Sequence, residues 1–214
     1  MVDKLKPYVV KQGDYLSKLA FIYAFDAEAV WDHELNSALK SARKSGDMLA
    51  PGDVLYLPVT PKEGLPFTSG GTNRYKGSIP MVDVNLAFHD MDEKPIANAA
   101  FTIDVPGVRP NSGTSDGDGK VSFKVPVTHR EVPVLFPDLN LIFHVRVGDL
   151  DPADEMTGAM QRLAHLGYFA ESDMGNRDAD LALAVLRFQR LKGLEETGAL
   201  DAATLEALEG VHGT

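Results

Sequence analysis

Leu181-Ala182-Leu183-Ala184-Val185-Leu186-Arg187-Phe188-Gln189-Arg190-Leu191-Lys192-Gly193 decides how the C-terminal third of this 214-residue chain folds. Leu181, Val185, Phe188 and Leu191 recur at helical spacing, so one apolar face is expected on a helix from about Asp178 to Lys192, stopped by Gly193. Upstream, Met156, Met160, Leu163 and Leu166 repeat the period, with Asp151-Pro152 as the expected N-cap and first helical residue and Gly167 as the stop. Downstream, Asp201 is the expected cap of a third helix carrying Thr204, Leu205 and Leu208. These caps and spacings predict a three-helix bundle over residues 151–214.

The opposite end has a different rhythm. Tyr8-Val9-Val10 is a short extended run ending at Gly13, and Asp14 is a candidate N-cap. Leu16, Leu19, Ala20 and Tyr23 then form one apolar helical face, and a second helix is expected after Asp26, with Ala29, Val30 and Trp31 turned inward. Pro51-Gly52 introduces a second strand, Val54-Leu55-Tyr56-Leu57, which Pro58 stops. The predicted order over residues 1–60 is strand, helix, helix, strand.

Residues 61–78 read as a linker rich in Pro, Gly, Ser and Thr. Over 79–150, five short apolar or alternating runs are separated by turn clusters: Met81 to Phe88, Ala100 to Val105, Val121 to Val125, Val132 to Phe136 and Leu141 to Val147. That spacing predicts an antiparallel β-sandwich, giving a multidomain α+β chain.

Composition narrows the function. The chain has 44% hydrophobic and 24% charged residues, as in ordinary globular proteins, and no cysteine, which excludes disulfides and thiol catalysis. Its net charge of −10 is concentrated at the C-terminal end: 0 over residues 1–62, −3 over 63–150 and −7 over 151–214. Such a chain repels polyanions, so nucleic acid is not an expected partner. No run approaches a membrane span and the N-terminus lacks the apolar core of a signal peptide, so synthesis as a soluble cytoplasmic chain is expected, and delivery to a cell wall would need a non-classical, contractile route.

Three resemblances sharpen these expectations. The Y-x-V-x-x-G-D start at Tyr8, the Leu16/Leu19/Ala20 helix, Asn36 and the L-x-P-G-D-x-L-x-x-P ending from Leu49 together resemble the LysM module. That family binds N-acetylglucosamine-containing polymers in a shallow groove between two loops. The resemblance implies a glycan site made by Gly13, Asp14, Tyr15 and Leu16 on one side and Met48, Leu49 and Pro51 on the other. Tyr15 stands where the family usually has Thr, and the segment from Asn36 to Leu49 is longer than usual, with Lys40, Arg43 and Lys44 offering a protein-binding alternative. The middle segment, with Pro95-Ile96-Ala97-Asn98-Ala99 and Thr114-Ser115-Asp116-Gly117-Asp118-Gly119, is similar to prealbumin-like or carboxypeptidase-regulatory-like sandwiches. The Q-R-L…L-G-Y and F-Q…G-L-x-x-T-G-x-L-D-x-x-T-L wording of the last segment resembles the peptidoglycan-binding domain found beside many wall hydrolases. The loop between its first two helices departs from the family's D-G-x-F-G pattern, and Tyr168, Asp173 and Asn176 are the expected contact surface there.

No catalytic constellation is recognisable. His33-Glu34 opens an H-E-x-x-H search that fails at Ser37, and neither a G-x-S-x-G elbow nor a phosphate-binding loop is present. An EF-hand frame from Thr114 would need Glu where Val125 stands, so Asp116 and Asp118 read as hairpin chemistry and no metal or cofactor is expected. Asp149, Asp151, Asp154 and Glu155 fit the start of a helix, where negative charge is favoured. The leading expectation is a non-catalytic protein binding peptidoglycan through both terminal modules. The alternative is an adaptor, spike-associated component or carrier of a type VI-like or phage-tail-like contractile injection system, with spike, tube or effector proteins as partners.

Overall fold

The computed structural model describes residues 4–58, 64, 66–74, 77–90, 94–105, 111–168 and 177–212. The chain forms two compact units, Met1–Val82 with Val125–Arg130, and Asp83–Lys124 with Glu131–Thr214. Among the described residues no helix is long and apolar enough to cross a membrane.

In the first unit, strands β1 (Leu5–Val9) and β2 (Val54–Pro58) pair antiparallel, from Leu5↔Pro58 to Val9↔Val54. Between them run α1 (Leu16–Tyr23), α2 (Ala27–Trp31), a 3-10 turn at Glu34–Asn36, and α3 (Ser37–Ala42). The expected order therefore holds, with the second helix divided into three pieces. Val10, Leu16, Leu19, Val30, Leu49, Leu55 and Leu57 form the core. Ala29 and Tyr23, expected inward, are exposed; Tyr23 instead sets its ring edge-on to Tyr8 at 6.1 Å.

Asp26 caps α2 by accepting from Ala29 N at 3.0 Å. Asp14 does not cap α1. Its carboxylate accepts from the Tyr8 hydroxyl at 2.7 Å and from Lys11 N at 3.1 Å, and Asp47, 30 residues away, accepts from Ser17 N at 2.8 Å in its place.

Asn36 is fully buried and saturated. It donates to Val30 O at 2.8 Å and Tyr56 O at 3.1 Å and accepts from Tyr56 N at 2.8 Å, tying the helices to β2. Asn36→Ala is expected to orphan these backbone groups and cost about 2–3 kcal/mol, read as a lower denaturation midpoint.

The middle strands are β3 (Met81–Ala87), β4 (Ala100–Ile103), β5 (Asn111–Thr114), β6 (Lys120–Pro126), β7 (Glu131–Phe136) and β8 (Leu141–Arg146). β3 pairs with β6, and a four-stranded sheet runs β5-β4-β7-β8 with antiparallel neighbours. Along β6 and β7 alternate residues are buried, as period 2 demands: Val121, Phe123, Val125, then Val132, Val134, Phe136. Phe88, after β3, packs on Phe136 and Phe143 with ring centres 5.3 and 4.7 Å away. Asp116 turns the hairpin as expected, accepting from Asp118 N and Lys120 N at 2.9 and 2.8 Å.

Helices α4 (Met156–His165), α5 (Arg177–Lys192) and α6 (Ala202–His212) follow, around Ala159, Met160, Leu163, Leu181, Ala184, Val185, Phe188 and Leu208. Met156 and Leu191 were expected in this core, but they are 58% and 63% exposed. Leu181, Ala184, Val185 and Phe188 follow the i, i+3, i+4, i+7 stripe, and three residues further on Leu191 has rotated past its edge. The N-cap of α4 is Glu155 rather than Asp151.

Candidate functional site

The residues that carry the C-terminal motif hold the fold together. Gln189 is fully buried; its amide nitrogen lies 2.8 Å from both Thr197 Oγ1 and Thr204 Oγ1, and its oxygen accepts from Gly198 N at 2.9 Å. Asp201 completes the knot, accepting from Thr204 N at 2.9 Å, as the expected cap, and from the Thr197 hydroxyl at 2.9 Å. These bonds to Thr204 and Thr197 hold the Asp201 carboxyl below the ordinary carboxylate range.

Gln161 and Arg162 clamp the segment that leads into α4. Gln161 accepts from Asp151 N at 2.7 Å and donates to Asp149 O at 3.1 Å. Arg162 is fully buried and donates from Nη1 to Asp151 O at 2.9 Å and Gly158 O at 3.0 Å. Burial pushes its guanidinium down from the ordinary value, against the raising influence of Glu209, Asp151 and Asp154. Among the described residues its Nε and Nη2 have no hydrogen-bond partner.

Gly158 permits this clamp: a Cβ there would lie 2.6 Å from Asp151 O and still closer to the Pro152 carbonyl. Gly158→Ala is expected to cost about 1–3 kcal/mol and to release the segment, read by faster amide exchange at residues 149–153.

Tyr168 is half-buried, and its ring meets Phe188 edge-on at 5.5 Å, which makes it a flank of the core more than a free contact. Asp173 and Asn176, expected beside it, lie outside the described residues. The outward face of α5 carries Leu183, Arg187 and Leu191, all exposed and spaced four residues apart.

At the first unit, the expected groove residues are mostly interior. Tyr15, Leu16 and Leu49 are 3%, 6% and 5% exposed, and Gly13 is buried. Their apolar atoms belong to the unit's core. Asp14 and Met48 are half-buried, and only Pro51 is exposed. The two loops are bonded to each other through Leu16 N and Gly46 O at 2.9 Å and through Ser17 Oγ and Asp47 at 2.8 Å.

The expected partner-binding cations are also engaged. Arg43 makes a two-pronged bond to Asp53, with both N···O distances 2.8 Å, and Lys40 pairs with Asp32. Lys44 is exposed. Sequence reasoning missed Asp47 and Asp53 as the anchors of these loops. Asp53 carried a signal in the P-G-D turn, whereas Asp47 carried none, since its partner Ser17 is remote in sequence.

Among the described residues no group of three or more His, Asp or Glu is placed to hold a metal ion. The histidines include one pair, His165 and His212, with Nδ1 and Nε2 2.9 Å apart and rings tilted by 23°. Such a bond requires one ring to accept, so at least one of the pair is neutral. It joins the last turns of α4 and α6.

Residues 154–208 match the model of a family described as a putative peptidoglycan binding domain. Comparison with curated proteins and with solved structures finds no match.

Proposed function

We propose that the protein binds peptidoglycan without cleaving it, through the helical domain at residues 154–208. The family match over those residues carries this reading. The complete core and saturated polar knot beneath it support it, because they hold the three helices in one arrangement. Since Arg162, Leu163, Phe188, Gln189 and Thr204 of the motif are buried, the contact falls to the outer surface. The Leu183–Arg187–Leu191 face supplies apolar area beside a cation for the carboxylates of stem peptides. Incubation with insoluble peptidoglycan followed by centrifugation should bring the protein into the pellet and release no soluble fragments. Protein left in the supernatant contradicts binding, and released fragments contradict the non-catalytic assignment.

A second reading gives the N-terminal module, LysM-like in sequence, a role in protein contacts, as in an adaptor or carrier of a contractile injection system. Lys40 and Lys44, both exposed on the longer segment between Asn36 and Leu49, offer charge to such a partner. Pull-down with spike and tube proteins tests it, and failure to retain either contradicts it.

A further inference from the structure

Tyr15 is 3% exposed although it belongs to a surface loop, and what covers it is remote in sequence. Its hydroxyl donates to Val127 O at 3.3 Å, a bond spanning 112 residues. Val127 is itself 3% exposed, Val125 is fully buried, and the segment Val125–Arg130 belongs to the same compact unit as the N-terminal module. The segment is a closed turn, with His129 N bonded to Pro126 O and Val127 N to Pro80 O, both at 3.0 Å. Burial, and secondarily the nearby Asp47 carboxylate, pushes the Tyr15 phenol up to about 12, so it stays protonated and able to donate.

We propose that the loop surface around Tyr15 is a docking site whose occupant is the chain's own Val125–Arg130 turn, and that this occupancy excludes glycans from it. Groups that would receive an N-acetyl amide are already used. The Leu16 N–H is bonded to Gly46 O, and the Gly13 carbonyl accepts from the Lys18 ammonium, which also sits 5.8 Å over the Tyr15 ring. A segment tethered in the same chain is presented at an effective concentration on the order of millimolar, so a free oligosaccharide of similar intrinsic affinity would need a comparable concentration to displace it. The first module is thereby an intramolecular dock, and the Tyr15 phenol is what reaches the turn.

Amide hydrogen exchange on the full chain tests this directly. Tyr15→Ala should speed exchange across residues 125–130 by about ten-fold, with helix α5 unchanged. Tyr15→Phe, which keeps the packing and removes one hydrogen bond, should speed it about five-fold in the same segment. Added N-acetylglucosamine hexamer should leave exchange at residues 13–16 and 46–51 of the wild type unchanged. Unaltered exchange at 125–130 in Tyr15→Phe overturns the docking, as does protection of the two loops by the hexamer. Neither readout depends on whether the helical domain binds peptidoglycan.

Discussion

Phe188→Ala is expected to lower the stability of the helical part of the second unit by about 3–5 kcal/mol, the largest loss from any one side chain there. Phe188 is fully buried on α5 among Leu163, Leu181, Val185 and Leu208, and it supports the Tyr168 ring. The cavity cannot close easily, because Gln189 beside it is bonded to both Thr197 and Thr204 and fixes the register of α5 against the start of α6. Domains of this size hold only about 5–15 kcal/mol in total, so the variant should unfold partially at low denaturant. Urea titration followed by circular dichroism should show the helical transition moved well below that of the wild type. Phe188→Leu should cost far less, about 1–2 kcal/mol. An unchanged midpoint for the Ala variant would mean that the helices are not held by this core.

The second large effect concerns an ion pair. Arg43 and Asp53 keep only 9% and 12% of their side chains exposed and meet through two bonds of 2.8 Å. Among the described residues, Arg43→Ala leaves this nearly buried carboxylate with the Ala50 N–H alone, and about 3 kcal/mol should be lost. Lysine cannot reproduce the fork, so Arg43→Lys should recover only part.

The sign of the pH dependence follows. Burial alone would raise the Asp53 carboxyl, but the Arg43 bonds and the Ala50 N–H outweigh it and hold the group below its ordinary value. A depressed carboxyl contributes stability that is present above about pH 4 and is lost as pH falls through the lower folded value. The stability gap between wild type and Arg43→Ala should be widest near neutrality and shrink in acid. A gap independent of pH would show that the pair contributes packing alone.

Elements written as local patterns were legible in the sequence, and those made by distant partners were not. The stripe from Leu181 to Phe188, the caps at Asp26 and Asp201, and the alternation along β6 and β7 depend on neighbours a few residues apart. Strand β5 is not among the five apolar or alternating runs, because Asn111-Ser112-Gly113-Thr114 is polar, and the structure leaves it wholly exposed. Its Gly113 is opposite Phe101, where a Cβ would lie 2.8 Å from the ring, so the residue that looked like a loop signal makes room for an aromatic. Position alone suggests Asp14 and Asp151 as caps, but Asp47 accepts from Ser17 N at the start of α1, and Asp151 is held by Gln161 and Arg162.

The candidate sites followed the same rule. Motif spelling identified the helical domain, but its Arg162, Leu163, Phe188, Gln189 and Thr204 are buried, which is why the motif located a fold more securely than a contact surface. Tyr15 was visible as an unusual residue, yet nothing local reveals that a turn from the middle of the chain covers it.

Co-sedimentation of two core variants with insoluble peptidoglycan, each checked against a tube lacking peptidoglycan, tests the central claim most directly. Phe188→Ala disrupts the helical domain, whereas Leu55→Ala disrupts the first unit, where Leu55 is fully buried. Binding through residues 154–208 predicts that wild type and Leu55→Ala pellet with the polymer and Phe188→Ala remains in the supernatant. Retention by Phe188→Ala together with loss in Leu55→Ala would place the contact in the N-terminal module and contradict the account.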